Sequence, residues 1–253
     1  MRPSLPRRVE PMAFFTMRLA APIASLAAPR IDTTGGTLPV PSLSMLTGII
    51  GAALGLRPSD RATLQQLQDT MRVAFVVDRP GTIVRDYQIV RMGHPHMKGP
   101  MWWHDGRRLG TMARAGGEPE RTVPTERPLT CDFAATAIVE LLDGAPFDSA
   151  TILKALREPV FPVGLGQQCC LFSEPVAGRI VKGVESLEQA VATVTPGTIY
   201  LPADVSTGNL GDIYATISAG RDWKSRQHGG STVYRVRASI REAHHGDAAV
   251  HSD

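Results

Sequence analysis

Residues 38–56 read LPVPSLSMLTGIIGAALGL, an apolar segment opened by two prolines and broken by glycines. Pro39 and Pro41 lack the amide and the free φ that a helix interior needs, so no helix runs into this segment from upstream. Ser42 or Ser44 can accept from the first orphan amides, which predicts a helix over about 42–54. Gly48, Gly51 and Gly55 are poor helix formers, each costing up to ~1 kcal/mol against alanine. Gly48 and Gly51 share a face, so the expected compensation is close approach to another backbone. The unpaired amides at the start of this helix also offer a place for a phosphate. A buried packing helix is the plainer alternative.

Working outward, Leu64, Leu67 and Met71 recur at helical spacing, and RVAFVV at 72–77 reads as a strand. FFTMRLA at 14–20 reads as a first strand, and DRPG at 78–81 has the chemistry of a turn. VRDYQIV at 84–90 is again strand-like. Farther on, Thr130, Asp132, Thr136 and Glu140 punctuate apolar positions as in a half-buried strand. A short helix follows from Asp148 or Ser149 and is stopped by Pro159. Residues 161–172 form a loop built on Gly164 and Gly166. A helix near 186–194 and strands near 198–201 and 232–240 complete the chain, which periodicity alone places in the α+β class.

The 253 residues suffice for one large domain, and 43% hydrophobic content gives it an ordinary core. A formal charge of +3 excludes neither nucleic acid nor protein partners, because a local patch is what binding needs. Cys131, Cys169 and Cys170 make neither a disulfide framework nor zinc-ligand spacing, so a reducing cytoplasm and no metal are expected. The basic start and the apolar residues 11–28 imitate a secretory signal, but Arg18 interrupts the apolar region. Residues 1–12 are expected to be a disordered leader and 242–253 a disordered tail. No run approaches the ~18 apolar residues of a membrane span, so no membrane partner is expected.

Between residues 91 and 128 apolar periodicity vanishes, and such long connections are usually functional or disordered. Arg91, Lys98, Arg107 and Arg108 alternate there with Trp102 and Trp103, a basic and aromatic mixture suited to a hairpin that touches RNA. A solvated loop is the alternative. His94, His96 and His104 do not have recognised zinc spacing. In the strand at 84–90, alternation sets Arg85 and Tyr87 on one face and Asp86 and Gln88 on the other. Arginine beside tyrosine offers a charge for phosphate and a ring for a base; a strand-edge ion pair with a packed ring is the alternative. VGLGQQCC at 163–170 is a glycine loop whose backbone can approach a phosphate, with Gln167 and Gln168 able to bond a base edge or sugar.

Taken in order, the segments at 38–56, 72–77, 84–90 and 159–175 resemble the CasD family, the fifth Cas protein family. Its members are CRISPR RNA-binding subunits of type I Cascade effector complexes. The resemblance spans about residues 13–240. It implies a ferredoxin-like (RRM-like, RAMP) core over 13–241, with a thumb β-hairpin inserted at about 91–128 and a small β-rich C-terminal extension. It further implies a non-catalytic subunit without cofactor, holding the 5′ handle of CRISPR RNA. Its partners would be the Cascade backbone subunit and large subunit, with target DNA contacted only indirectly. The candidate RNA-binding residues are Ser42, Ser44, Arg85, Tyr87, Arg91, Lys98, Trp102, Trp103, Arg107, Arg108, Gly164, Gly166, Gln167 and Gln168.

Three departures mark a divergent branch. Gln167 and Gln168 stand where relatives tend to be basic, ASLA at 24–27 stands where many have QSWG, and Leu43 replaces a usual basic residue. The rival reading is a metal-independent endoribonuclease that processes precursor CRISPR RNA. It would draw a base and a transition-state cation from Tyr87, His94, His96, His104 and Lys98.

Overall fold

The computed structural model describes residues 13–28, 35–92, 100–102, 108–111, 121–194, 197–205, 213–218 and 220–237. Chain order is β1 (Ala13–Ala24), α1 (Leu43–Ala53), α2 (Arg61–Asp69), β2 (Met71–Arg79), β3 (Thr82–Met92), β4 (Pro100–Trp102), β5 (Arg108–Thr111) and β6 (Arg121–Leu141). Then come α3 (Ser149–Arg157), β7 (Ala177–Val181), α4 (Leu187–Ala192), β8 (Thr198–Pro202), β9 (Ile213–Ser218) and β10 (Ser231–Arg237). The class is α+β, as expected. Among the described residues the main sheet is mostly antiparallel in the order β7-β1-β6-β2-β8-β10-β9, with β3 pairing β6 off this path, and β4 and β5 form a separate two-stranded sheet.

Alternation along the central strands divides the sheet into two faces. Phe15, Met17 and Leu19 of β1, Val73, Phe75 and Val77 of β2, and Ala135, Ala137 and Val139 of β6 point to the side covered by α1, α2 and α3. Leu46, Ile50 and Ala53 of α1, Leu67 of α2, and Ile152 and Leu153 of α3 meet them there. Phe14, Ala74, Val76 and Ile138 point the other way, under Leu187, Ala190 and Val191 of α4. Full burial of each phenylalanine stabilises the fold by roughly 1.5–3 kcal/mol.

Helix boundaries follow the predicted caps. Ser42 Oγ accepts from the Met45 amide at 3.3 Å, and the Asp148 carboxylate accepts from Thr151 at 2.7 Å, which holds its carboxyl below the usual range. The close approach to another backbone expected of Gly48 and Gly51 is met by neither, and what Gly51 admits is a side chain. A Cβ on Gly51 would lie 2.7 Å from the Leu64 side chain of α2, whereas Gly48 faces open space. Arg18 has its charge answered on the α4 face: it makes a two-pronged bond to Asp78 at 2.8 and 2.9 Å and another to Glu174 at 2.8 Å.

Residues 78–81 do not reverse the chain. Arg79 opposes Ala134 and Thr82 opposes Cys131, so β2 and β3 run in the same direction along one partner, β6. Pro80 has no amide for the ladder, Gly81 has φ +73°, and Asp132 across from it has φ 55°. A Cβ on Gly81 would overlap the Cys131 carbonyl. The turn-like composition therefore marks a bulged bend, which turns the ladder without ending it. β1 follows β6 two residues past the bend, to Ala24 opposite Thr130, and from there β3 and the first half of β6 continue as a two-stranded ribbon among the described residues. At ~3.3 Å per residue, the 11 residues of β3 extend it about 35 Å.

Candidate nucleic-acid interface

The end of β1 is the hub of the site. The Ser25 amide donates to the Leu165 carbonyl at 2.9 Å, and Gln167 Nε2 donates to Ser25 Oγ at 3.2 Å. Next to it, the Leu38 amide donates to the Leu26 carbonyl, which also accepts from Thr37 Oγ1 at 3.2 Å. Thr37 Oγ1 lies 3.4 Å from Thr130 Oγ1 at the root of the ribbon. The glycine loop, the segment leading to α1 and the ribbon root therefore converge on Ser25 and Leu26. Ser42 and Ser44 follow a few residues later, their hydroxyls 3.1 Å apart.

The glycines of the loop have an internal reason to be there. Gly166 has φ +101°, and a Cβ on it would overlap the Ser25 carbonyl oxygen. A Cβ on Gly164 would come within 2.9 Å of Gln167 O and 3.0 Å of Cys170 O. The backbone these residues approach is the protein's own. The loop closes through Leu165 N to Cys170 O at 2.8 Å and Cys170 N to Gln167 O at 3.0 Å, leaving Gln168 and Cys169 exposed at its tip. Cys170 is buried, which raises its thiol pKa, and it packs as the small hydrophobe its position calls for.

On the ribbon, the predicted alternation holds. Arg85 bonds Glu126 at 3.0 Å, and Glu126 stands opposite Tyr87, so these three side chains share a face. Gln88 bonds Asp86 at 2.7 Å on the other. The ion-pair alternative for Arg85 is thus realised, but the pair is exposed and worth at most about 1 kcal/mol. Tyr87 is 58% exposed and Ile83 57%, so the packed-ring alternative fails. A cavity of about 150 Å³ opens between Gly35, Gly36 and Thr37 on one side and Ile83, Arg85, Glu126 and Pro128 on the other.

Of the remaining candidates, Arg91 lies in β3, and Trp102 faces Arg108 across β4 and β5. Lys98, Trp103 and Arg107 lie outside the described residues, as do His94, His96 and His104. Among the described residues no cluster of His, Cys, Asp or Glu is arranged to hold a metal. Sequence reasoning missed Ser25, Thr37 and Thr130 as organisers of the site. The signal available was the unusual ASLA at 24–27, which contains the hub itself.

Residues 14–247 match the model of the family described as CRISPR-associated protein (Cas_Cas5). The chain belongs to this family. It is 25% identical over 172 residues to the CRISPR system Cascade subunit CasD of Escherichia coli (strain K12), covering 65% of this chain and 69% of that one. In fold it is similar to a chain of a CRISPR RNA-guided surveillance complex, with TM-score 0.61 and 23% identity over 89% of this chain and 90% of the other. A crystal structure of a Cas protein is also similar, with TM-score 0.52 and 18% identity over 88% and 92%. At such identity, divergent membership fits the three departures in the sequence.

Proposed function

We propose that this Cas5-family protein is a non-catalytic CRISPR RNA-binding subunit of a type I Cascade-like complex, holding the 5′ handle of the guide RNA. The observation that carries the reading is the ribbon, rooted at the hub where the glycine loop and the approach to α1 meet. An exposed two-stranded ribbon is at best marginally stable in water, and its aromatic and cationic side chains match single-stranded RNA. β7-β1-β6-β2, with its crossover helices, serves as the ferredoxin-like core, and the ribbon with residues 91–128 serves as the thumb. The backbone and large subunits would meet the surfaces flanking it, and target DNA would be reached only through the assembled complex.

Labelled RNA of the cognate CRISPR repeat tests this. Arg85→Gln with Tyr87→Ala should weaken binding at least tenfold, about 1.4 kcal/mol. It should also flatten the log–log salt slope by about 0.7 for the lost phosphate contact. Unchanged affinity would remove the ribbon root from the site. Cleavage of the same RNA at one position in chelator would replace this reading with the endoribonuclease.

A further inference from the structure

At the end of the sheet away from the ribbon, α2 and the loop at 220–230 close around a cleft with a different chemistry. Gln68, only 5% exposed, anchors that loop. Its Oε1 accepts from the Arg221 amide at 3.2 Å and the Trp223 indole at 3.1 Å, and its Nε2 donates to the Arg221 carbonyl at 3.0 Å. Gln65 Oε1 accepts from the Trp223 amide at 3.1 Å, and Arg61 Nη1 donates to the Lys224 carbonyl at 3.3 Å. The loop is thereby fixed to α2 mainly by carboxamides, leaving most cationic donors available.

Between them lies a cavity of about 680 Å³ lined by Arg61, Gln65, Gln68, Arg221, Lys224 and Gly229. The one carboxylate on its wall, Asp222, is engaged by the loop itself. It accepts from the Lys224 amide at 2.8 Å, the Ser225 amide at 3.2 Å and the Ser225 hydroxyl at 2.7 Å. The Arg221 guanidinium stacks on the Trp223 ring at 5.3 Å, and its Nε is buried without an acceptor among the described residues. The enclosed Nε is out of reach of a ligand, but a guanidinium held flat on a ring suits phosphate oxygens through its terminal nitrogens. Arg226 continues the positive charge along the exposed loop, and Gly229 and Gly230 leave the rim low. Three cationic side chains around one cleft, with Arg226 following on the same loop, suit a repeating polyanion better than a single carboxylate.

We propose that this cleft is a second nucleic-acid site, which takes the phosphate backbone of a single strand at the end of the sheet opposite the ribbon. It goes beyond handle binding, because the 9 residues of β2 separate the two ends by about 30 Å.

The test uses the full chain with fluorescent dT20 and rU20, followed by anisotropy across a salt series. Arg61→Gln with Lys224→Gln changes two exposed side chains and removes one 3.3 Å tie to the loop, while the Gln65 and Gln68 ties remain, so melting should fall only slightly. Affinity should fall at least fivefold, and the slope should flatten by about 1.4 if two phosphate contacts are lost. Equal losses for both oligomers assign recognition to phosphate; a loss confined to rU20 assigns an RNA strand. A 4-thiothymidine-bearing dT20 should crosslink within 220–230 in the wild type, and still do so in the Arg85→Gln, Tyr87→Ala variant. That separates failure at the cleft from failure at the ribbon. Unchanged affinity and slope for both oligomers, or no crosslink in this loop, overturns the proposal. Loss of binding to a labelled oligoglutamate peptide, with oligonucleotide binding intact, also overturns it and makes the cleft a protein-docking site.

Discussion

The two halves of β6 differ sharply in their surroundings, although they are one continuous segment of 21 residues. From Phe133 to Val139 the strand has β1 on one side and β2 on the other, and nearly every side chain is sealed between helices. From Thr125 to Leu129 it has β3 on one side, and its side chains are half-buried or exposed. In the buried half, Phe133–Val139, packing explains why every residue but Thr136 is apolar. In the other, packing leaves Ile83, Val84 and Tyr87 of the neighbouring strand exposed at 57%, 48% and 58%. Apolar and aromatic surface that folding does not use is what a partner can use. The bend at Gly81 and Asp132 is the boundary between these regimes.

If that boundary is real, truncations on its two sides should differ sharply in stability. Phe133→Ala, in a side chain with no exposure, should cost about 3–5 kcal/mol in urea denaturation. Tyr87→Ala should change stability by no more than about 0.5 kcal/mol. Comparable losses would mean that the ribbon is packed as tightly as the core.

The glycine loop belongs with the core half by the same criterion. Gly166→Val would place a side chain at φ +101° against the Ser25 carbonyl, and should destabilise the protein by about 2–3 kcal/mol. A variant of wild-type stability would free the loop from its structural duty and shift weight to a phosphate cradle.

A smaller effect comes from Glu140, at the buried end of β6. Burial pushes its carboxyl above the usual range, against the opposing pull of Arg72 at 4.0 Å. The unfolded chain therefore gives up this proton first, and stability falls as pH rises from the ordinary carboxylate range to the raised value. Glu140→Gln should flatten that fall, so in paired thermal melts the variant gains on the wild type as pH rises from the ordinary carboxylate range through the raised value. A constant difference between the two would show that Glu140 titrates normally.

Much of the framework was legible in the sequence because its signals were local. Proline and serine fixed the start of α1, Asp148 capped α3, and alternation set Arg85 and Tyr87 on one face. The bend at 78–81 was not legible, since proline and glycine report a departure from the ladder and not the direction taken afterwards. Sequence reasoning missed β9 although Ile213, Tyr214, Thr216 and Ile217 are strand formers, and its place is set by pairing with β10. The role of the glycine loop was ambiguous for a similar reason. A glycine needed by a phosphate and a glycine needed by Ser25 look alike until the end of β1 is placed against it. The hub at Ser25 and Leu26 joins residues distant in sequence; the unusual ASLA at 24–27 marks the place but does not say which segments meet there.

The central claim is that the ribbon is built for RNA and not for the fold. Val84 and Leu129 face each other across it, so residues 85–128 can be replaced by Asn-Gly, a two-residue hairpin connection. The shortened protein should keep its stability within about 1 kcal/mol, and its affinity for the repeat-derived handle RNA should fall at least tenfold. Retention of wild-type affinity by a folded, shortened protein would contradict the account.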